Sequence, residues 1–367
     1  MAPLSKSKKL LWVLPVLALI AVFWLVFKPT ALTTTPQAAA SSDRVSVIRL
    51  AVPDLSSGEN PSSGIPVLEN IYLNKLLEKE FEKDHIKIEW QFFKGAGPAI
   101  NEALVNKQLD FAFLGDLAAI IGKSNGIDTR ILVPYIRHGH AYLAVQSGKG
   151  YKTLEDLKGK RIAVWQGTAS QLSFNQFIAY HGFSEKDFRI INLDLSAMNA
   201  ALATKQIDAG WGSLGLVALE KKGLVNIIGG SRDTGRSLAT IQTALVGVSS
   251  FVQQHPDITQ RIVDTVLKSA YWVVQPENKE LAIQQVTDNA KYPHDLYLEG
   301  LKGQDEKEIF SPLIDQDYIK TFKQSVKSAK EAQLIRQDID VDHWIDDRFV
   351  KKGIEQLGYQ QVWQPQN

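Results

Sequence analysis

The sequence predicts an α/β protein, made of strand–helix units that build parallel sheets behind an N-terminal address. Three observations predict it. Short apolar segments alternate with amphipathic stretches from residue 45 to residue 248. A helix–turn–strand pattern occurs twice: PAINEALVNKQLDFAFLGD (98–116) lines up with SAMNAALATKQIDAGWGSL (196–214), with Ala, Asn, Ala, Leu, Lys, Gln and Asp at matching places. The chain has 367 residues, 44% hydrophobic and 22% charged, which is long enough for two domains. The echo leaves two readings, chance likeness between helix–turn–strand units or two similar α/β lobes.

The first element is the address. Lys6, Lys8 and Lys9 precede an apolar run at 10–27, LLWVLPVLALIAVFWLVF, and a small, polar stretch with AAA at 38–40 follows. Residues 1–40 read as a cleaved signal peptide or as a retained N-terminal membrane anchor, since the run is close to spanning length. Either places the rest outside the cytoplasm, and the lysines before the run favour a cytoplasmic N-terminus.

Residues 45–52 (VSVIRLAV) then read as a strand. A Ser-, Gly- and Pro-rich loop at 54–66 follows, then a helix near 68–83. IKIEWQFF (86–93) alternates with period two, as a strand does. GAGP (95–98) breaks the chain, and a helix over 99–107 puts Ile100, Ala103 and Leu104 on one face. Strands are expected at 110–114, 131–136, 141–145, 161–164 and 188–193, with a short helix at 153–157 and a longer one over 171–182. After a strand at 241–248 the pattern turns helical: PDITQRIVDTVLKSAYWVVQ, KELAIQQVTDNA, DQDYIKTFKQSVKSAKEAQL and WIDDRFVKKGIEQLG read as packing layers.

Composition excludes several chemistries. With 41 basic and 40 acidic residues the net charge is +1, so no global field draws the chain to nucleic acid or to an anionic membrane. The chain has no cysteine, which removes disulfides, thiolate catalysis, cysteine zinc sites and a lipid-anchored form. Its seven histidines lack metal-ligand spacing.

The candidate site is WQGTAS (165–170), where a strand ends and a helix begins. Ligands of open α/β sheets bind beyond the carboxyl ends of strands. A helix starting there offers unpaired N–H groups and the positive end of its dipole to an anion. Gly167 allows close backbone approach, while Thr168 and Ser170, flanking Ala169, either cap the helix or donate to the anion. Gly97 with Pro98, Gly115 with Asp116, and Trp211 with Gly212 and Ser213 are expected at strand ends in the same way. Trp211 either walls an apolar pocket or packs in the core. Arg137, His138 and His140 fall where the chain would cross between lobes; Arg137 is a candidate counter-charge, and Arg232 a weaker one. Nothing reads as phosphate loop, nucleophile elbow or triad, so no catalytic residue, metal or cofactor is expected.

EWQFFKGAGPAINEALVNKQLDFAFLGD, then TLEDLKGKRIAVWQGTAS and ALATKQIDAGWGS, resemble the substrate-binding proteins of ABC importers for aliphatic sulfonates, taurine and nitrate, over about residues 45–274. The resemblance implies a two-lobed periplasmic-binding-protein type II fold with a cleft between lobes. One lobe would hold 44–138 and 246–367, the other 139–245. It implies an anionic head group at Gly167–Ser170, hinge closure, a monomer, and an ABC permease with its ATPase as partners. The ligand would be an aliphatic sulfonate or taurine, captured in the periplasm by a free or inner-membrane-tethered protein. Alternatives are a tethered ligand sensor, or a receptor for nitrate, a sulfate ester or a thiamine-precursor pyrimidine. Relatives that make that pyrimidine carry a cysteine-rich motif, which this chain lacks. Two features depart from the family pattern, the long 54–66 loop and GWGSLG after the second-lobe strand.

Overall fold

The computed structural model describes residues 44–56 and 58–365. The address at residues 1–40 lies outside the described residues. Among the described residues no helix is long and apolar enough to cross a membrane.

Two five-stranded sheets organise the chain. The first is built from β1 (Val47–Pro53), β2 (Lys87–Phe93), β3 (Phe111–Gly115) and β4 (Thr129–Val133), with helices α1 (Pro66–Leu73), α2 (Leu76–Phe81), α3 (Ala96–Val105) and α4 (Asp116–Ser124) between them. The second holds β5 (Tyr142–Gln146), β6 (Arg161–Val164), β7 (Arg189–Asn192), β8 (Ala209–Gly212) and β9 (Val225–Gly230), with α5 (Ala169–Tyr180), α6 (Leu195–Ala203) and α7 (Leu214–Lys221). β10 (Thr243–Val248) then returns to the first sheet. The strand orders are β2-β1-β3-β10-β4 and β7-β6-β8-β5-β9.

The expectation of purely parallel sheets is corrected. β1 pairs in parallel with β2 and β3, and β6 with β7 and β8. β10 and β5, however, are antiparallel to both their neighbours. Each of these two strands enters directly from the other sheet, with no crossover helix to bring the chain back to the same end. The two connections run side by side, joined by Gly139 N–H to Ile241 O (2.9 Å) and Ile241 N–H to Gly139 O (2.7 Å).

The sequence echo is also a structural one. Both copies end their helix on a lysine in the left-handed region, Lys107 (φ 56°) and Lys205 (φ 60°). Both then start a strand with an aspartate that clasps the neighbouring parallel strand. Asp110 accepts from Arg49 N (2.8 Å) and its guanidinium, and Asp208 accepts from Arg161 N (3.0 Å) and Nε (3.2 Å). The clasp fixes where each strand begins, and so where its glycine-bearing far end projects.

The C-terminal part is helical as expected: α8 (Ser249–Gln254), α9 (Pro256–Val273), α10 (Lys279–Ala290), α11 (His294–Leu301), α12 (Glu306–Ile309), α13 (Gln316–Glu331), α14 (Val341–Trp344) and α15 (Arg348–Leu357). α9 starts on a proline, which suits a first-turn position. It buries Ile262, Val263, Val266 and Leu267 in the core of the first lobe. The helix expected from Trp344 breaks instead, because Ile345 leaves it to bridge Ile131 of β4. α11 and α12 were not expected, and neither was β9, whose VNIIGG lacks a clean alternation.

Candidate ligand-binding site

The parallel strands of both sheets point their carboxyl ends, and β5 and β10 their amino ends, at one cavity of about 300 Å³. α3, α4 and α5 begin around it, and Ser213 presents the start of α7 there. α3 and α7 have no side-chain cap, so their first-turn N–H groups are left for another partner.

The α5 end is built most closely. Gly167 adopts φ 72°, a left-handed conformation that a side chain would strain. A Cβ there would also lie 2.8 Å from Pro98 Cγ. Pro98 therefore backs Gly167 and does not itself line the cavity. Gly115 meets Ala169 equally closely, a Cβ lying 2.7 Å from the Ala169 Cβ. These two contacts bring the starts of α3, α4 and α5 together across the two sheets. Ala96, the first residue of α3, has φ 46°, a strained backbone for a residue with a Cβ.

The two hydroxyls divide their roles. Thr168 Oγ1 accepts from Ser170 N–H (3.2 Å) and donates to Trp165 O (2.8 Å). It is a helix cap with no proton left for a ligand. Ser170 Oγ is buried with no hydrogen-bond partner. A buried hydroxyl without a partner costs free energy unless a ligand completes it, and Ser170 lines the cavity.

Gly97, Gly115, Thr168, Ala169, Ser170, Gly212 and Ser213 all line the cavity. Four other expectations are corrected. Arg137 is only 2% exposed and is bound by Asp315 (2.9 Å) and Asp317 (2.7 Å); it is already neutralised and does not reach the cavity. Trp211 is fully buried, packs on Phe174 and Phe177, and donates to Ser173 Oγ (3.2 Å). It anchors the back of α5 to β8 and walls no pocket. Asp116 is buried, and its carboxylate accepts from Leu117 N–H (2.8 Å) and the Ser325 hydroxyl (2.7 Å). Burial pushes its pKa up to about 7. Arg232 is exposed, with its guanidinium on Lys302 O.

Of the histidines, His138 is held between Asp317 and Gln242, while His140 lines the cavity. Burial, with the nearby Arg232, pushes the His140 pKa down to about 4, so it is neutral at pH 7. Its Nδ1 lies 3.0 Å from Ser231 Oγ, which already accepts from Ala141 N–H. The direction of the hydrogen bond between Nδ1 and Ser231 Oγ follows the tautomer of the imidazole.

The rest of the wall was not legible as a site. Leu55, Ser63, Gly64 and Ile65 come from the long loop. That loop is locked by Glu69, which accepts from the Ser62 and Ser63 hydroxyls, from Ser63 N–H and from Asn289. Trp165 opens the WQGTAS segment but was given no role of its own, and Tyr142 follows the histidine pair. Tyr292, Tyr297, Leu301 and Phe310 come from the 291–310 stretch, for which the sequence suggested no element. Among the described residues no Asp, Glu, Lys or Arg lines the cavity. Among the described residues no cluster of three His, Cys, Asp or Glu side chains could hold a metal ion.

Two lobes, joined by paired connections and opening their strand ends on one cavity, define a two-lobed periplasmic-binding-protein fold. The chain belongs to the NMT1/THI5-like family, whose model matches residues 81–279, more than half of it. It is similar to the "Putative aliphatic sulfonates-binding protein" of Bacillus subtilis, 26% identical over 285 residues, which cover 76% of this chain and 82% of the relative. Among solved structures it resembles the "periplasmic sulfonate-binding protein SsuA" of Methylobacillus flagellatus, at 28% identity and a TM-score of 0.76, covering 88% of this chain and 98% of that one. It also shares its fold, at 14% identity and a TM-score of 0.61, with the desulfurization enzyme DSZB, covering 85% of this chain and 99% of that one.

Proposed function

We propose that this protein is the extracytoplasmic capture component of an ABC importer, taking a small organic anion of the aliphatic sulfonate or taurine class. The observation that carries the reading is the buried, unpartnered Ser170 hydroxyl at the start of α5, where three helix N-termini meet over one cavity. Such an arrangement stabilises an oxyanion without a charged side chain. Similarity to sulfonate-binding relatives supports a sulfonate as that oxyanion.

The protein binds and does no chemistry. The chain has no cysteine, and the lining residues present no carboxylate to act as acid or base. The mechanism is hinge closure of the proposed lobes, 44–138 with 246–367 against 139–245, about the paired connections at Gly139 and Ile241. Ligand touching both lobes favours the closed state by its differential affinity. The closed monomer delivers its cargo to a permease and its ATPase, from a periplasmic location to which residues 1–40 export or tether it.

A thermal-shift titration of the full chain with alkanesulfonates, taurine, sulfate esters and nitrate tests this. A ligand that binds only the native state stabilises it by about 2.7 kcal/mol at a hundredfold excess over Kd. At least one sulfonate should raise the melting temperature. Folded protein that responds to nitrate or sulfate esters and to no sulfonate overturns the assignment.

A further inference from the structure

We propose that the sulfonate this site selects has an extended apolar or aromatic body and carries no amine, so that taurine is not its cargo. The inference rests on the sulfonate reading above and deepens it.

The cavity has two unlike ends. At one, Gly115 and Gly167 bring together the starts of α3, α4 and α5, with Ser170 Oγ as the free donor. The other is made by the long loop and the 292–310 segment. Gly64 sits against Leu55 and Tyr292, whose hydroxyl reaches Leu55 O (3.5 Å), and Gly300 sits against Leu214. Tyr297 and Leu301 pack beside Leu214. The rest of a molecule whose oxyanion is held at those helix starts meets a wall whose apolar members include Leu55, Leu214, Tyr292, Tyr297 and Leu301, with Trp165.

Three consequences follow for the ligand. An ammonium group on that body would meet no carboxylate, because among the described residues no Asp or Glu lines the cavity, and a buried charge without a partner is strongly disfavoured. His140, neutral at pH 7, supplies no negative charge to balance a cation. The volume of about 300 Å³ corresponds to roughly ten water volumes. A body as short as that of taurine would leave much of the apolar wall facing trapped water, whereas each added methylene displaces water from apolar surface.

Isothermal titration of the full chain with ethane-, propane-, butane- and hexanesulfonate, taurine and toluenesulfonate tests the proposal. Affinity should rise about fourfold per methylene. Taurine should bind at least about tenfold more weakly than propanesulfonate, its near isostere. Trp165→Ala should weaken toluenesulfonate about tenfold. Taurine binding as tightly as propanesulfonate overturns the proposal, as does an affinity that ignores chain length; the wild-type protein alone decides both. Failure of every sulfonate overturns the sulfonate reading itself, whereas binding confined to taurine and ethanesulfonate overturns only the apolar body.

Discussion

Thr168 and Ser170 are two residues apart, and their hydrogen bonds separate their effects. Ser170→Ala should weaken sulfonate binding about tenfold, because a hydrogen bond to a charged group is lost, and should leave the melting temperature of the unliganded protein no lower, because the hydroxyl it removes is buried without a partner. Thr168→Ala should instead cost about 1 kcal/mol of stability as a lost helix cap. Titration and thermal melts of both variants separate these effects; equal affinity in Ser170→Ala and wild type would remove Ser170 from the site. Arg137→Ala should cost about 3–5 kcal/mol, since it leaves Asp315 buried without its partner. Any binding that survives in the folded fraction should match wild type, whereas a specific loss of affinity would restore Arg137 as a ligand group. Asp116 gives a pH signature. Its folded pKa of about 7 lies above the ordinary aspartate value of 3.8. The folded state therefore holds a proton that the unfolded state has released, and stability falls as pH rises between these values. Asp116→Asn can keep both hydrogen bonds, so its melting temperature should exceed that of wild type at pH 8, with the gap closing towards pH 4. Parallel melting curves across that range would refute the buried, protonated carboxyl.

At the scale of elements, α11 is the part that closes the apolar end. A Cβ on Gly300 would run into the Leu214 side chain of α7, so Gly300→Val should wedge α11 away from the second lobe. The expected result is about a tenfold weaker affinity and a larger radius of gyration in solution scattering with ligand present. An unchanged radius and affinity would show that α11 is no part of closure. The exposed pairs between these parts, Lys221 with Asp295 and Arg236 with Glu308, add little to this latch. Elements with clean periodicity were legible in the sequence, as with the strand at 86–93, which forms β2. So was the α5 start, because glycine and small hydroxyls after a strand have a local physical meaning. What escaped was long-range. Arg137 looked like a free cation because its partner Asp315 is 178 residues away. Tyr292 and Tyr297 lie in a stretch where the sequence suggested no element, and only the fold brings them to the cavity. Trp211 left two readings open, and the aromatic packing of α5 decided for the core.

At the scale of the whole molecule, the two sheets repeat one plan. Arg49 with Asp110 and Arg161 with Asp208 fix equivalent strand starts, and the echoed strands end in equivalent glycines at the cavity. A near-neutral chain with an uncharged cavity holds an anion through aligned backbone and hydroxyl donors. The most direct measurement is a crystal structure of the protein with hexanesulfonate. The sulfonate oxygens should lie within hydrogen-bond distance of Ser170 Oγ and of N–H groups at the starts of α3 and α5, with the alkyl chain against Tyr297 and Leu301. A sulfonate paired with an arginine or lysine outside the cavity, or a chain pointing away from α11, would refute this mode of capture.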